Sequence, residues 1–261
     1  MMKLSKRLQT IADRVTPGSR TADIGSDHAL LPVYLVQSGR APSAIAGELN
    51  TGPYQAASKA AASAGLSAVI SVRQGDGLSV LQPGEADTVT IAGMGGSLMT
   101  DILEAGRLAG KLEGVRELVL QPNVGEEFVR RWLVKHGWTL TDETVLEEDG
   151  RFYEVLRAVL SPTASIENAA LYEPAFLNKP ETESALWANW LYRMGPHLLR
   201  NPSPVLHQKW ELEIGKLERI VAQMAGSDTP DARAKEAEFR MEIAQIQEVL
   251  ACTPTDKPSS N

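Results

Sequence analysis

From Arg20 to His136 short apolar runs alternate with stretches of helical periodicity, and this repeated order leaves few folds open. Residues 20–24, 43–49, 68–73, 88–92 and 117–121 read as strands, and 28–37, 53–64, 98–109 and 125–136 as helices. Apolar strands joined by helical crossovers predict a parallel sheet covered on both faces. The last segments break the pattern. Residues 138–146 and 152–160 read as strands joined through Glu147-Glu148-Asp149-Gly150, and Asp-Gly is a hairpin signal.

Around this core the chain divides by texture. Leu4, Leu8, Ile11, Ala12 and Val15 recur at helical spacing, with Lys3, Lys6, Arg7 and Arg14 on other faces. A boundary is expected near 160, where Pro162, Pro174 and Pro180 punctuate a connection expected to be mostly irregular. Beyond it, Trp210, Ile214, Leu217, Val221 and Met224, then Phe239, Ile243, Ile246 and Leu250, step by threes and fours. That heptad spacing predicts an antiparallel helical hairpin, with Gly226 ending the first helix. The expected organisation is 1–160 for the sheet domain, 161–252 for linker and hairpin, and 253–261 as a disordered tail.

Composition narrows the setting. The net charge of −7 argues against indiscriminate polyanion binding. Locally, however, Arg193, Arg200, Lys209, His197 and His207 lie among Trp187, Trp190, Tyr192 and Trp210 without a carboxylate, which suits either an RNA-facing surface or tryptophans packed inward. No run reaches the roughly 18 apolar residues of a membrane span, and the first residues carry no signal-peptide pattern, so the expectation is a cytoplasmic protein without membrane contact. A single cysteine, Cys252, allows no intrachain disulfide or cysteine metal cluster, and no metal is expected.

In an open α/β sheet, ligands bind beyond the carboxyl ends of the strands. Those loops are polar here. The first, "ADIGSDHALLP", carries Asp23, Gly25, Ser26, Asp27 and His28; the second carries Glu48 and Leu49; the third is Gln74-Gly75-Asp76-Gly77. Glu48 can accept hydrogen bonds from two ribose hydroxyls and Asp76 from an adenine amino group. A glycine-rich G-x-G-x-x-G turn brings a helix N-terminus close to pyrophosphate, whereas one glycine with two carboxylates repels it. Adenine, ribose and a cationic sulfonium bearing an ammonium suit the site better. Any one of these loops alone reads more readily as a turn or helix cap, but three acidic strand ends together form a nucleoside-shaped site. The fourth loop, Gly93-Met94-Gly95-Gly96, leaves room for a flat base or is a tight turn before a helix, and Gln121-Pro122-Asn123 either reads a base edge or caps the next helix.

Five β/α units closed by an antiparallel hairpin are the arrangement of methyltransferases that use S-adenosylmethionine, an inference from fold alone. The expected class is therefore α/β: a Rossmann-like class I methyltransferase sheet with a terminal β-hairpin, followed by a C-terminal helical, coiled-coil-like domain. Particular runs go further. "SKRLQTIADRV", "ADIGSDHALLP", "IAGELNTGPYQAA", "VRQGDGL", "TIAGMGG", "LVLQPN" and "LEEDGRFYEVL" resemble the bacterial TrmK family of tRNA adenine-N1 methyltransferases across nearly the whole sheet domain, and more loosely beyond it. The resemblance implies methylation of N1 of adenine 22 in the D arm of tRNA, with S-adenosylmethionine as cofactor. One departure is visible: the family usually has a tyrosine where this chain has Leu30.

For that chemistry, N1 of adenine offers an in-plane lone pair and needs no general base, so positioning dominates. The product ring is cationic, and a nearby carboxylate would stabilise the developing charge. Asp27 is the candidate, with Asn123 beside it at the reacting base; a helix-capping role for Asp27 is the alternative. Asp23, Gly25, Ser26, His28, Glu48, Leu49, Asp76, Gly77, Gly93 and Met94 are expected around the cofactor, and Arg7, Gly95, Gly96, Pro122 and Asn123 around the tRNA. A methyltransferase for another base or a small molecule, and a catalytically silent RNA-binding protein, are the competing readings; mapping of the methylated position separates the first and cofactor calorimetry the second.

Overall fold

The computed structural model describes residues 2–224 and 229–253; Gly226 and residues 254–261 lie outside the described residues. The chain forms two compact units, 1–170 and 171–261. The first is built on a seven-stranded sheet of order β3-β2-β1-β4-β5-β7-β6. Its strands are β1 (Thr21–Ile24), β2 (Ala44–Glu48), β3 (Ile70–Gln74), β4 (Thr88–Met94), β5 (Glu117–Pro122), β6 (Trp138–Glu148) and β7 (Arg151–Leu160). β1 to β5 are parallel, and β7 pairs antiparallel with both β5 and β6. β1 and β5 are buried along their whole length, as strands covered on both faces must be. The β6–β7 turn holds Asp149 at φ 52° and Gly150 at φ 72°, the left-handed pair that a two-residue hairpin loop demands.

The helices of this unit are α1 (Lys6–Arg14), α2 (Leu30–Gln37), α3 (Thr51–Ser63), α4 (Gly96–Leu108), α5 (Glu126–Lys135) and α6 (Ala164–Leu171). Ile11, Ala12 and Val15 from the first helical segment join Leu31 and Leu35 of α2 and Val119 and Val155 of the sheet in one buried cluster. Each isoleucine, leucine or valine among them contributes about 1.5–3 kcal/mol by leaving water. The cations of α1 are engaged: Arg14 pairs with Asp142, Lys6 Nζ donates to Glu147 O at 3.1 Å, and the Arg7 guanidinium donates to Gln121 while its backbone N–H donates to Glu148. They do not form an unengaged basic face.

The chain beyond the hairpin departs from expectation. The stretch after the hairpin, expected to be mostly irregular, contains α6, α7 (Ser184–Met194) and α8 (Pro196–Arg200) before α9 (Pro204–Met224) and α10 (Pro230–Cys252). Its prolines stand at or near the starts of helical turns, where a missing N–H costs nothing. α6 is tied to the sheet by Asn168 Nδ2 donating to Trp138 O at 2.9 Å. Trp187, Trp190 and Trp210 are buried, and the basic residues among them fold back: Arg193 lies 4.2 Å from the Trp190 ring centre and pairs with Glu242, Arg200 lies 4.2 Å from that of Phe176, and Lys209 lies 5.8 Å from that of Trp210. The basic and aromatic window is thus mainly internal packing. α9 carries three basic and three acidic residues, and α10 three basic and five acidic.

Candidate functional site at the carboxyl ends of the strands

Strand order reverses between β1 and β4, and ligands of open α/β sheets bind at such a switch point. Asp23, on β1, has only 4% of its surface exposed there. Ser26 Oγ donates to its Oδ2 at 2.6 Å and Thr90 Oγ1, from β4, to its Oδ1 at 2.6 Å. Burial raises the Asp23 pKa; the Ser26 and Thr90 bonds and the charge of Arg7 oppose that rise, and Asp27 adds to it.

The loop after β1 has an unusual backbone. Gly25 lies at φ 72°, and Asp27, His28 and Ala29 follow at 42°, 66° and 55°. Three successive residues with side chains in the left-handed region cost on the order of 1–3 kcal/mol each, and such strain persists only where the surroundings impose it. Here Gly25 and Ser26 N–H groups donate to Gly47 O at 2.9 and 3.2 Å, and the Asp27 N–H donates to Glu48 Oε1 at 2.6 Å. Because this run cannot join a right-handed helix, α2 starts at Leu30 and not at His28. Asp27 is therefore no helix cap. Its side chain is 85% exposed, 3.5 Å from His28 Nε2, at the mouth of the site.

Glu48, at the end of β2, is 7% exposed. Burial raises its pKa, Asp23 and Asp27 add to the rise, and the Asp27 N–H and His28 oppose it. Leu49 beside it is exposed, and its carbonyl accepts from Gln74 Nε2 at 3.2 Å. The Gly75 N–H donates to Glu48 O at 2.9 Å, which binds the end of β3 to that of β2. Asp76 follows, exposed, with no side-chain bond to the short helical turn it precedes, and Gly77 has φ 49°.

The fourth and fifth loops meet through a β-bulge. Gly93, at φ 78°, shifts the β4–β5 register between Ala92 and Met94. The Met94 methyl reaches Gly25, where a Cβ would stand only 2.3 Å from it, so the first and fourth loops touch. Gly96 packs so closely on the next loop that a Cβ would lie 2.0 Å from Gly125 O. Asn123 Nδ2 donates to Gly93 O at 2.8 Å, and Gln121 Nε2 donates to Asn123 Oδ1 at 3.1 Å and to Pro122 O at 2.9 Å. Gln121 Oε1 accepts from Arg7 Nη1 at 2.6 Å and from the Gly93 N–H at 3.2 Å.

Two connected groups result: Asp23, Ser26, Asp27, Glu48 and Thr90, and Arg7, Gly93, Gln121 and Asn123, bridged by Gly25 and Met94. Asp76 and Gly77 border the first through the β3 end, while Gly95, Gly96 and Pro122 shape the second. Thr90 and the bonding role of Gln121 were not expected. A threonine in the buried run "TVTIAG" was the available signal for Thr90. Leu30 packs into the α1–α2 cluster, half-buried beside Tyr34.

A parallel sheet closed by a 7-6 antiparallel pair, with acidic ends on β1 and β2 at the switch point, defines a class I methyltransferase domain. The chain belongs to the TrmK family, described as tRNA (adenine(22)-N(1))-methyltransferase, which it matches over residues 21–248. It is 42% identical to the tRNA (adenine(22)-N(1))-methyltransferase of Bacillus subtilis over 252 residues, 95% of this chain and 98% of the relative. The crystal structure of the B. subtilis M1A22 tRNA methyltransferase TrmK superposes with a TM-score of 0.81 at 41% identity, covering 96% of this chain and 100% of that one. A Streptococcus pneumoniae protein solved in complex with S-adenosyl-L-methionine gives a TM-score of 0.77 at 37% identity, covering 95% of this chain and all of that one.

Proposed function

We infer that this protein methylates N1 of adenine 22 in tRNA from S-adenosylmethionine, as its Bacillus subtilis relative is named for doing, and that the acidic strand ends hold the cofactor. The observation that carries the site assignment is the pair of buried carboxylates at the β1 and β2 ends, beside a left-handed glycine and with no glycine-rich pyrophosphate turn. Such a donor set fits a cationic nucleoside. When bound, S-adenosylmethionine supplies a methyl group made electrophilic by its sulfonium charge.

The chain's own residues divide the work. Glu48 accepts ribose hydroxyls through the oxygen that Asp27 does not occupy, and Asp76 accepts from the adenine amino group of the cofactor. Asp23, held by Ser26 and Thr90, supplies negative charge toward the amino-acid end, where His28 borders the site. Gly93 to Gly96 leave space for the target base, which must leave its stack to react. N1 attacks with its lone pair and the methyl–sulfur electron pair stays on sulfur, so no base is needed and the ring gains one positive charge. Asp27, exposed at the mouth, stabilises that charge. Asp27→Ala is expected to lower kcat by about tenfold or more while leaving cofactor affinity within about threefold; single-turnover methylation and calorimetry check this, and full turnover removes Asp27 from the chemistry.

Raised pKa values give a pH signature. A cationic ligand favours ionised Asp23 and Glu48, so binding releases protons, and affinity declines with acidification from a higher pH than ordinary carboxyls allow. For folding the sign is opposite: each group's folded pKa lies above its unfolded one, so stability present at acid pH is lost as pH rises through the folded value. Calorimetry in buffers of different ionisation heat is expected to detect proton release on mild acidification; a pH-independent affinity contradicts the assignment.

Recognition of the tRNA body falls to the second unit, acting by shape more than by net charge given the composition of α9 and α10. Because α7 bonds to α10 through Trp190 Nε1 to Gln245 and Arg193 to Glu242, a cut at Pro204 strips α7 of its partners. Residues 1–170 alone are expected to keep cofactor affinity and lose about tenfold or more in tRNA affinity; gel-shift titration with unchanged tRNA affinity would overturn that role. Among the described residues no helix is long and apolar enough to cross a membrane. The proposed location is the cytoplasm, where tRNA is the substrate.

A further inference from the structure

We propose that Asn123 reads the N6 and N7 edge of the target adenine, and that Arg7 and Gln121 are positioning residues that set the polarity of its amide. The proposal rests on the function inferred above and specifies how its site selects adenine.

Hydrogen-bond polarity in this network is forced. Gln121 is buried, and two groups that can only donate, Arg7 Nη1 and the Gly93 N–H, both point at one end of its amide, which must be Oε1. The other end is then Nε2, and its two hydrogens go to Pro122 O and Asn123 Oδ1. Gly93 O accepts from Asn123 and can do nothing else, so it independently turns Nδ2 of that residue toward the bulge. Every group on Gln121 is used. Asn123, exposed at the end of β5 beside the Gly93 to Gly96 space, has one N–H and one oxygen lone pair left over.

A donor beside an acceptor complements two edges of adenine. One is N6–H with N1, which would cover the atom to be methylated. The other is N6–H with N7, the pairing asparagine makes with adenine in nucleic-acid recognition, and it leaves N1 open. On that same edge guanine presents acceptors at both O6 and N7 and cannot satisfy the amide. The arrangement therefore favours adenine over guanine and selects its orientation in one contact. Arg7, expected from sequence to touch tRNA directly, acts here through Gln121 and against the Tyr153 ring, 5.4 Å away.

The test uses the full chain, S-adenosylmethionine and two ligated tRNAs that differ only by adenosine or 7-deazaadenosine at position 22. Removing N7 leaves N1 at least as basic, so intrinsic reactivity cannot lower the rate. Wild-type protein is expected to show a kcat/KM about tenfold lower on the 7-deaza tRNA. Asn123→Asp, which removes both Nδ2 donors, the one bonded to Gly93 O and the one left for N7, is expected to reduce that ratio to within about twofold of one, whatever its effect on the absolute rates. Arg7→Met is expected to shrink the ratio likewise and Arg7→Lys, which keeps a donor for Gln121, to restore it. Equal rates on the two tRNAs, or a ratio that survives Asn123→Asp, overturns the reading of N7. An Arg7→Met protein slowed equally on both tRNAs makes Arg7 a phosphate contact and overturns its positioning role. Failure to methylate even the adenosine tRNA would strike the proposed function itself.

Discussion

Glu48→Ala is expected to weaken S-adenosylmethionine binding by on the order of 100-fold or more. Two hydrogen bonds to an ionised group contribute about 1.5–3 kcal/mol each, and tenfold in affinity is about 1.4 kcal/mol. The loss has a second source. Glu48 Oε1 holds the Asp27 N–H at 2.6 Å, and that bond helps keep Asp27, His28 and Ala29 left-handed. Without it the loop relaxes toward ordinary backbone angles and the site loses its preformed shape. Glu48→Gln keeps an acceptor for Asp27 but turns an N–H donor toward the ribose, so it loses the charge and the ribose acceptor while sparing the loop tie, and its loss is expected to be smaller than that of alanine, about tenfold. Calorimetry on the three proteins separates these effects; alanine and glutamine variants that bind equally well would show that the loop tie is immaterial.

Arg130→Met is expected to cost about 3–5 kcal/mol of stability, since it leaves buried carboxylates without their counter-charge. Arg130 comes from α5, and its guanidinium reaches Glu143 on β6, with Nε donating to Oε1 at 2.7 Å, and Glu154 on β7. All three side chains are 0% exposed. The group couples α5 to the hairpin that closes the sheet, far along the chain from the cofactor residues. Replacing the arginine together with both glutamates by apolar residues of similar volume is expected to recover much of the loss, because an intact buried ion pair adds little beyond its own desolvation cost. Urea denaturation of both variants checks the pair of expectations, and a single variant within about 1 kcal/mol of the parent contradicts them.

The parallel sheet was legible because its strands are short, apolar and separated by helical periodicity, and the closing hairpin because Asp149-Gly150 accepts positive φ cheaply. The acidic strand ends could be read for the same reason: polar residues stand where an apolar run stops. Other features depend on structure with no local signature. No pattern marks Asp27, His28 and Ala29 as left-handed, so the helix start was read two residues early. The contact of Arg7 with Gln121 spans 114 positions and depends on a bulge at Gly93. Similarly, the prolines after residue 160 looked like breaks because their place at the starts of helical turns shows only once those turns exist, although Trp187, Trp190, Leu191 and Met194 already stood at helical spacing.

The most direct measurement is mass-spectrometric mapping of the methyl group on tRNA incubated with the full chain and S-adenosylmethionine. The account predicts one added methyl, on N1 of adenine 22, formed by the wild-type protein and lost with Glu48→Ala at cofactor concentrations that saturate the parent. A methyl at another atom or nucleotide, or undiminished methylation by the Glu48 variant under those conditions, would contradict it.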